Sequence, residues 1–305
     1  MKIAVVGSYG VGLTMRVPRV PAPGETVSGG SFHEGPGGKG SNQAIGAARL
    51  GADVSFLTAI GDDDFGRSAR ALWRDEGVAA EHVVTASGAT MVGFILVDPK
   101  GENCISIAPG ALDELDARSI QPFRAEIAAA DILVVSMEIP LPAVTAALRI
   151  ARELGTRTLL NPAPAQALPD EIWPLVDIIT PNQTEAPVIL GLNPHHGLSD
   201  EELIAELRRR TGGLAILTRG GRGALVSDAE GTTDVPALRV ETVVDTTGAG
   251  DAFTAALAVA IAEGRSLREA AVFAAAAGAH AVTIAGVIPS LPTREQLNSE
   301  IGSTR

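Results

Sequence analysis

The chain has 305 residues, with 24 Lys and Arg against 36 Asp and Glu for a formal charge of −12. That excess of acid argues against partners held through a nucleic-acid backbone or an anionic membrane surface. Apolar residues make up 46% of the chain, enough to fill a globular core. A lone cysteine, Cys104, excludes an intrachain disulfide and a cysteine-rich metal site, so a reducing cytoplasm is the expected compartment.

The opening "MKIAVVGSYG" reads as a first strand, because glycine and polar residues interrupt it before a signal-peptide apolar region could form. Segments 12–33 and 89–107 alternate around the turn signals "PAPGE" and "DPKGE". They predict a small antiparallel β lid standing off the main body. The short apolar runs "KIAVV", "VSFLTAI", "DILVVS", "TRTLLN", "VDIITPN" and "LAILTRG" alternate with helical patterns. Several are apolar on both faces, which predicts a doubly wound α/β fold with a mostly parallel sheet flanked by helices. No repeat or long linker interrupts 1–305, so one domain with an inserted lid is expected.

Smaller signals fall in with this plan. "GDDDFG" lacks the alternation and final glutamate of a calcium loop and reads as a turn with a helix start. Trp73 and Trp173 lie in helical patterns as packing anchors, and Cys104 reads as a small buried residue of a lid strand. His195 and His196 are adjacent, poor chelating geometry, and read as an exposed loop. "RRR" at 208–210 ends an exposed helix begun at "SDEEL". The run from Ala270 to Val287 approaches the ~20 residues of a membrane span, but it is mostly Ala and Gly with His280 inside. It reads as a buried helix running into a strand.

Chemistry concentrates in three glycine-rich or polar stretches. In "DTTGAGDAF", Gly248 and Gly250 allow a tight turn into an apolar helix whose first turn presents the N–H groups of Ala249, Gly250 and Asp251. Such donors stabilise the charge spread over a migrating phosphoryl group, and Asp251 beside them could accept a proton from an attacking hydroxyl. Read alone, Asp251 is equally an ordinary first-turn acid complementing the helix dipole. "GPGGKGSNQA" places Lys39 and Asn42 at a second helix mouth, without the spacing of a nucleotide P-loop. That pair suits a polyhydroxylated substrate better than a triphosphate; read alone it is also compatible with a turn bearing a solvated lysine. In "TPNQTEA", Asn182 and Glu185 follow a buried strand at i, i+3 spacing, suited either to Mg²⁺ held largely through waters or to a helix cap.

Together, "PAPGETV", "GGKGSNQA", "GDDDFG", "GENCISIAPGA", "NPAPA", "DIITPNQTEA" and "DTTGAGDAF" resemble the ribokinase-type carbohydrate kinases of the broad phosphofructokinase-B family, nearly end to end. The resemblance implies transfer of the ATP γ-phosphoryl group to a sugar hydroxyl, with Mg²⁺ and a closing lid. It assigns Asp251 as general base in contact with the sugar, and Gly248, Ala249 and Gly250 as the anion hole. It gives Gly38, Lys39, Asn42 and Glu138 to sugar hydroxyls, and Asn182 and Glu185 to Mg²⁺ and phosphates. Thr218, Gly220 and Gly223, with Gly250, would line the ATP cleft. Asp245, Thr247, Val282, Ala285 and Ser290 match a loop that binds K⁺, so activation by K⁺ is expected.

The chain departs from the pattern at two places. Where ribokinases carry Asn and Asp after the first strand to bind sugar hydroxyls, this chain has Gly10 and Gly12. A carboxylate accepting from hydroxyls is worth about 1.5–3 kcal/mol per bond. The loss, and the space glycines open, leave ribose or another sugar, polyol or nucleoside as substrate. Ala275 stands where Asn often lies near adenine. A dinucleotide-binding reading fails, because Gly7, Gly10 and Gly12 reverse the required spacing. A non-catalytic sugar sensor is the rival from another class, disfavoured because a binder needs no base at Asp251. An exposed lid with edges and an apolar face predicts a homodimer through the lid.

Overall fold

The structure is a computed structural model, and it describes residues 1–303 apart from 194 and 196. His196 therefore lies outside the described residues; His195 is exposed in a loop, its N–H donating to Asn193.

Among the described residues nine strands form the main sheet, in the spatial order Gly231–Val235, Ala224–Asp228, Leu214–Thr218, Ile178–Ile179, Arg157–Asn161, Ile132–Ser136, Lys2–Val6, Asp53–Leu57 and Val78–Ala79. From Leu214–Thr218 onward every pairing is parallel, and the first two strands close that edge in antiparallel fashion. Alternate residues of one strand enter opposite cores. Ile3 and Val5 pack on one face with Phe56, Ile132 and Val134, while Ala4 and Val6 pack on the other with Leu57, Leu133 and Val135. Burial on both faces is why these strands read as unbroken apolar runs.

Several predicted bounds change. "VDIITPN" keeps only Ile178–Ile179 as a strand, with a lone bridge from Asn182 to Thr218 beyond, since Pro181 between them has no N–H to offer a ladder. "VSFLTAI" divides at Thr58, and its second half, Ala59–Gly61, pairs with Val84–Ala86. The run beginning at Ala270 gives no strand: the helix Leu267–Ala281 is followed by turns and a short helix, Val287–Ser290. Alanine-rich sequence sustains the helix, and Gly286 at φ +81° turns the chain. Trp173 lies in a single 3₁₀ turn, Trp173–Leu175, and Cys104 is exposed rather than buried because its strand is an uncovered edge. Asp63 caps the helix Asp64–Asp75, and Ser199 caps Asp200–Thr211 with a capping box. Among the described residues no helix is long and apolar enough to cross a membrane.

A second, four-stranded sheet has the order Ser31–Gly37, Gly10–Arg16, Val92–Val97, Asn103–Ala108. It is wider than segments 12–33 and 89–107. Its two outer pairings are antiparallel, whereas Gly10–Arg16 and Val92–Val97 run parallel, because each antiparallel pair enters the sheet through its first strand.

Two glycine contacts dock the helices that build the site. A Cβ on Gly40 would lie 2.6 Å from the Gly7 carbonyl carbon, so the helix Lys39–Arg49 starts in contact with the end of the first strand. A Cβ on Gly46 would lie 2.9 Å from the Ala255 Cβ, which lets Lys39–Arg49 and the helix Ala249–Ala262 pack backbone to backbone. Their N-terminal ends then open side by side above the strand ends.

Candidate active site

The helix Lys39–Arg49 is buried from Gly40 to Ala47, yet that stretch includes Ser41, Asn42 and Gln43. Buried polar groups are costly unless bonded. Ser41 accepts from the Trp73 indole N–H at 2.9 Å, so Trp73 is both anchor and donor. Asn42 and Gln43 point at Asp251. Asn42 Nδ2 donates to Asp251 Oδ2 at 2.8 Å, and Gln43 Nε2 donates to Asp251 Oδ1 at 3.1 Å. The Asp251 carboxyl, only 7% exposed, thus holds one amide donor on each oxygen. Burial pushes its pKa up, and this outweighs the opposing pull of Lys39 and of the two amides.

Lys39 stands at the centre of the acids. Burial alone would lower its ammonium pKa, but the charges of Asp251, Glu138 and Glu185 hold it above the ordinary value. Glu138, half-buried after the strand Ile132–Ser136, accepts from Ser8 Oγ at 2.5 Å and from the Lys39 N–H at 3.1 Å. Gly38 makes this approach possible: it sits at φ +89°, and a Cβ there would lie 2.6 Å from the Tyr9 Cα. Asp251, Lys39, Asn42 and Glu138 thus gather at the carboxyl ends of the parallel strands, where open α/β sheets bind ligands.

At the mouth of Ala249–Ala262, Gly248 takes φ +82°, and a Cβ on it would strike Val287 Cγ1 at 2.7 Å. The Ala249 N–H leans towards the Thr246 carbonyl at 3.4 Å, so it is less free than the sequence suggests. A Cβ on Gly250 would meet nothing within 4 Å among the described residues, leaving open space over the helix end. Behind this loop, Asp245 accepts from the Thr247 N–H at 2.9 Å and the Gly286 N–H at 3.1 Å. Although burial raises the Asp245 pKa, these bonds and the charge of Arg16 hold it below the ordinary value. The Val282 carbonyl accepts from Val244 and Asp245, and Ser290 Oγ donates to Val287 at 2.8 Å; Ala285 is exposed. Carboxylate, carbonyl and hydroxyl oxygens of this kind suit a hard cation.

Asn182 and Glu185 do not share one helix face, because the helix begins at Glu185, as Glu185–Ile189. Asn182 Oδ1 accepts from the N–H groups of Thr184 and Glu185, while the Glu185 carboxylate accepts from the Asn182 N–H at 2.8 Å. The arrangement is a reciprocal cap. It occupies the Asn182 oxygen. Burial raises the Glu185 pKa, outweighing the Asn182 N–H and the nearby Lys39 that pull it down. Thr218 bridges to Asn182, and Gly220 and Gly223 shape the turn that follows, at φ +56° and +81°.

Sequence reasoning passed over three residues here: Ser8, Gln43 and Asn161. Ser8 and Asn161 each lie at the carboxyl end of a buried strand, and Gln43 is a polar residue in an otherwise small-residue helix; those positions were the available signal. Gly10 also behaves differently from expectation. A Cβ on it would lie 2.2 Å from Met91 Cε, so the Met91 side chain fills the space a side chain at 10 would need. Gly12 has ordinary room, its nearest neighbours being 3.7 Å away.

The sequence matches the pfkB family carbohydrate kinases over residues 1–294. It is 37% identical over 295 residues to a ribokinase of Haemophilus influenzae, covering 96% of each chain. It is 33% identical over 307 residues to a deoxyribokinase of Salmonella typhi, covering 98% of each. Among solved structures, a ribokinase of Thermotoga maritima superposes with a TM-score of 0.90 at 32% identity over 99% of both chains. An Arabidopsis thaliana ribokinase complexed with ribose and ATP superposes with a TM-score of 0.89 at 28% identity over 98% of both. The chain belongs to the pfkB family of carbohydrate kinases. It is an ATP-dependent kinase that transfers a phosphoryl group to a sugar hydroxyl.

Proposed function

We propose that this kinase converts D-ribose to ribose 5-phosphate, working as one unit over 1–305 with the second sheet as its lid. The observation that carries the reading is the Asp251 carboxylate, buried at a helix mouth and clamped by Asn42 and Gln43 beside Lys39. The named substrates of its ribokinase relatives support the choice of sugar.

Asn42 Oδ1 is buried and has no partner among the described residues, so it is an acceptor available to a sugar hydroxyl. Glu138 and Lys39 supply further acceptor and donor groups, placing the reacting hydroxyl against Asp251. As its oxygen bonds to the γ-phosphorus of ATP, the hydroxyl proton passes to Asp251, the bond to the β-phosphate oxygen breaks and ADP leaves. A base raised by burial takes that proton more readily than a solvated aspartate. The N–H groups of Gly250 and Asp251 face the charge gathering on the phosphoryl oxygens, with Gly248 and Ala249 forming the turn. Glu185 would hold Mg²⁺ through waters, which would neutralise phosphate charge, and the Asn182 amide, Thr218, Gly220 and Gly223 border the nucleotide. Asp245, Thr247, Val282, Ala285 and Ser290 would hold K⁺ and stiffen the loop from behind. Equal rates in potassium and sodium-only buffers would remove that assignment.

Register pairs Gly12 with both Gly35 and Gly93, and Gly10 with Gly37, so five glycines share one lid face. Arg16, on the same face by alternation, acts on Asp245, so this face looks across the cleft. Glycines instead of acceptor side chains at 10 and 12 support a second reading, in which the preferred substrate is a sugar with fewer hydroxyls than ribose. On the opposite face Phe32, Phe94 and Met15 are exposed at 60%, 55% and 43%, which supports a homodimer paired through the lids. A monomer mass by light scattering would refute the dimer. The exposed free Cys104 suits action in the cytoplasm.

The test is ADP release with D-ribose, 2-deoxyribose, other pentoses, hexoses, polyols and nucleosides, with the product identified by ³¹P NMR. Highest catalytic efficiency on D-ribose supports the first reading and highest efficiency on 2-deoxyribose the second. No turnover of any sugar would leave a sensor.

A further inference from the structure

Gln43 is 1% exposed, and its amide nitrogen serves two acceptors, Asp251 Oδ1 at 3.1 Å and Asn161 Oδ1 at 2.9 Å. Asn161 ends the strand Arg157–Asn161, and its own amide donates to the Thr180 carbonyl at 3.3 Å. Thr180 in turn donates through its N–H to the Leu160 carbonyl at 3.0 Å. A continuous chain of bonds therefore runs from Asp251 through the Gln43 amide into the backbone of two central strands.

Packing does not explain this glutamine. Its Oε1 is buried without a partner among the described residues, a cost that an apolar side chain of the same shape would avoid. What an apolar side chain could not do is occupy the second oxygen of Asp251. Asn42 takes Oδ2 alone, and one bond leaves a carboxyl free to swing about χ2; a second donor on the other oxygen fixes its plane.

We propose that Gln43 is a positioning residue for phosphoryl transfer: bridging Asp251 to Asn161, it fixes the carboxylate plane in which Asp251 meets the substrate hydroxyl. This rests on Asp251 being the base. The same bond favours the ionised carboxylate, alongside Lys39 and Asn42 and against the charges of Glu138 and Glu185 that face the site.

The test compares wild type with Gln43→Met, which keeps the volume and removes the donor, and with Asn161→Ala, which removes the anchor. Initial rates against sugar and ATP are measured from pH 5 to 9, with ATP affinity read separately by calorimetry. For Gln43→Met, kcat falls about 10–100-fold while both KM values and the ATP affinity stay within about twofold. The acid limb of the kcat profile also moves up by about one pH unit, the expected effect of losing one bond to a charged group. Asn161→Ala gives a smaller displacement in the same direction and carries the test if Gln43→Met fails to fold. Equal loss at every pH with an unmoved limb, or a change in KM alone, overturns the proposal. Full activity of Asp251→Asn would instead overturn the assignment of the base.

Discussion

Replacing Gly248 with alanine tests whether the glycine loop and the C-terminal segment form one rigid unit. Gly248 sits at φ +82°, where an L-residue costs about 1–2 kcal/mol, and the new Cβ would lie 2.7 Å from Val287 Cγ1. Overpacking of that kind typically adds about 1–3 kcal/mol. Gly248→Ala should therefore lose about 2–5 kcal/mol of unfolding free energy, measured by urea denaturation. Pairing it with Val287→Ala should recover the overlap but not the backbone cost, so the double variant should regain about half. Because the strain falls on the turn that aims the Gly250 and Asp251 N–H groups, kcat should fall at least tenfold in an ADP-release assay. A single variant as stable and as active as wild type would refute the coupling of the two segments.

Arg49 donates to both oxygens of Glu76 and to the carbonyls of Ile288 and Leu291, tying one helix of the site to the C-terminal segment. Arg49→Ala should cost about 2–3 kcal/mol by the same denaturation. Gly12→Asp has ordinary contact distances for its Cβ, and should raise efficiency on D-ribose relative to 2-deoxyribose in a competition assay. Gly10→Asn should not do so, because its Cβ would meet the Met91 carbonyl oxygen at 2.9 Å as well as the Met91 side chain. An acid whose folded pKa lies above its unfolded value binds more protons when folded, so stability falls as pH rises through that window. Asp251→Asn should therefore gain stability over wild type as pH rises above the ordinary aspartate range and lose that advantage below it, which calorimetry across pH 4–8 can follow.

The layered architecture was legible because strands buried on both faces must be apolar throughout, as in Ile132–Ser136. The helix mouths were legible too, since Gly38 and Gly248 each occupy a backbone region that favours glycine. What was hidden depends on contacts between residues far apart in the chain. Nothing local shows that Met91 fills the space above Gly10, or that Gln43 and Asn161, separated by 118 positions, share a bond. The exposure of Cys104 depends on its strand being an edge, and the capping of Asn182 by Glu185 on where a short helix begins. Periodicity specifies neither.

Single-turnover phosphoryl transfer by Asp251→Asn addresses the mechanism most directly, because asparagine keeps the shape of the side chain and removes its ability to accept a proton. With ribose and radiolabelled ATP bound, the account predicts at least a hundredfold slower transfer with binding of both substrates preserved. Transfer at the wild-type rate would contradict it.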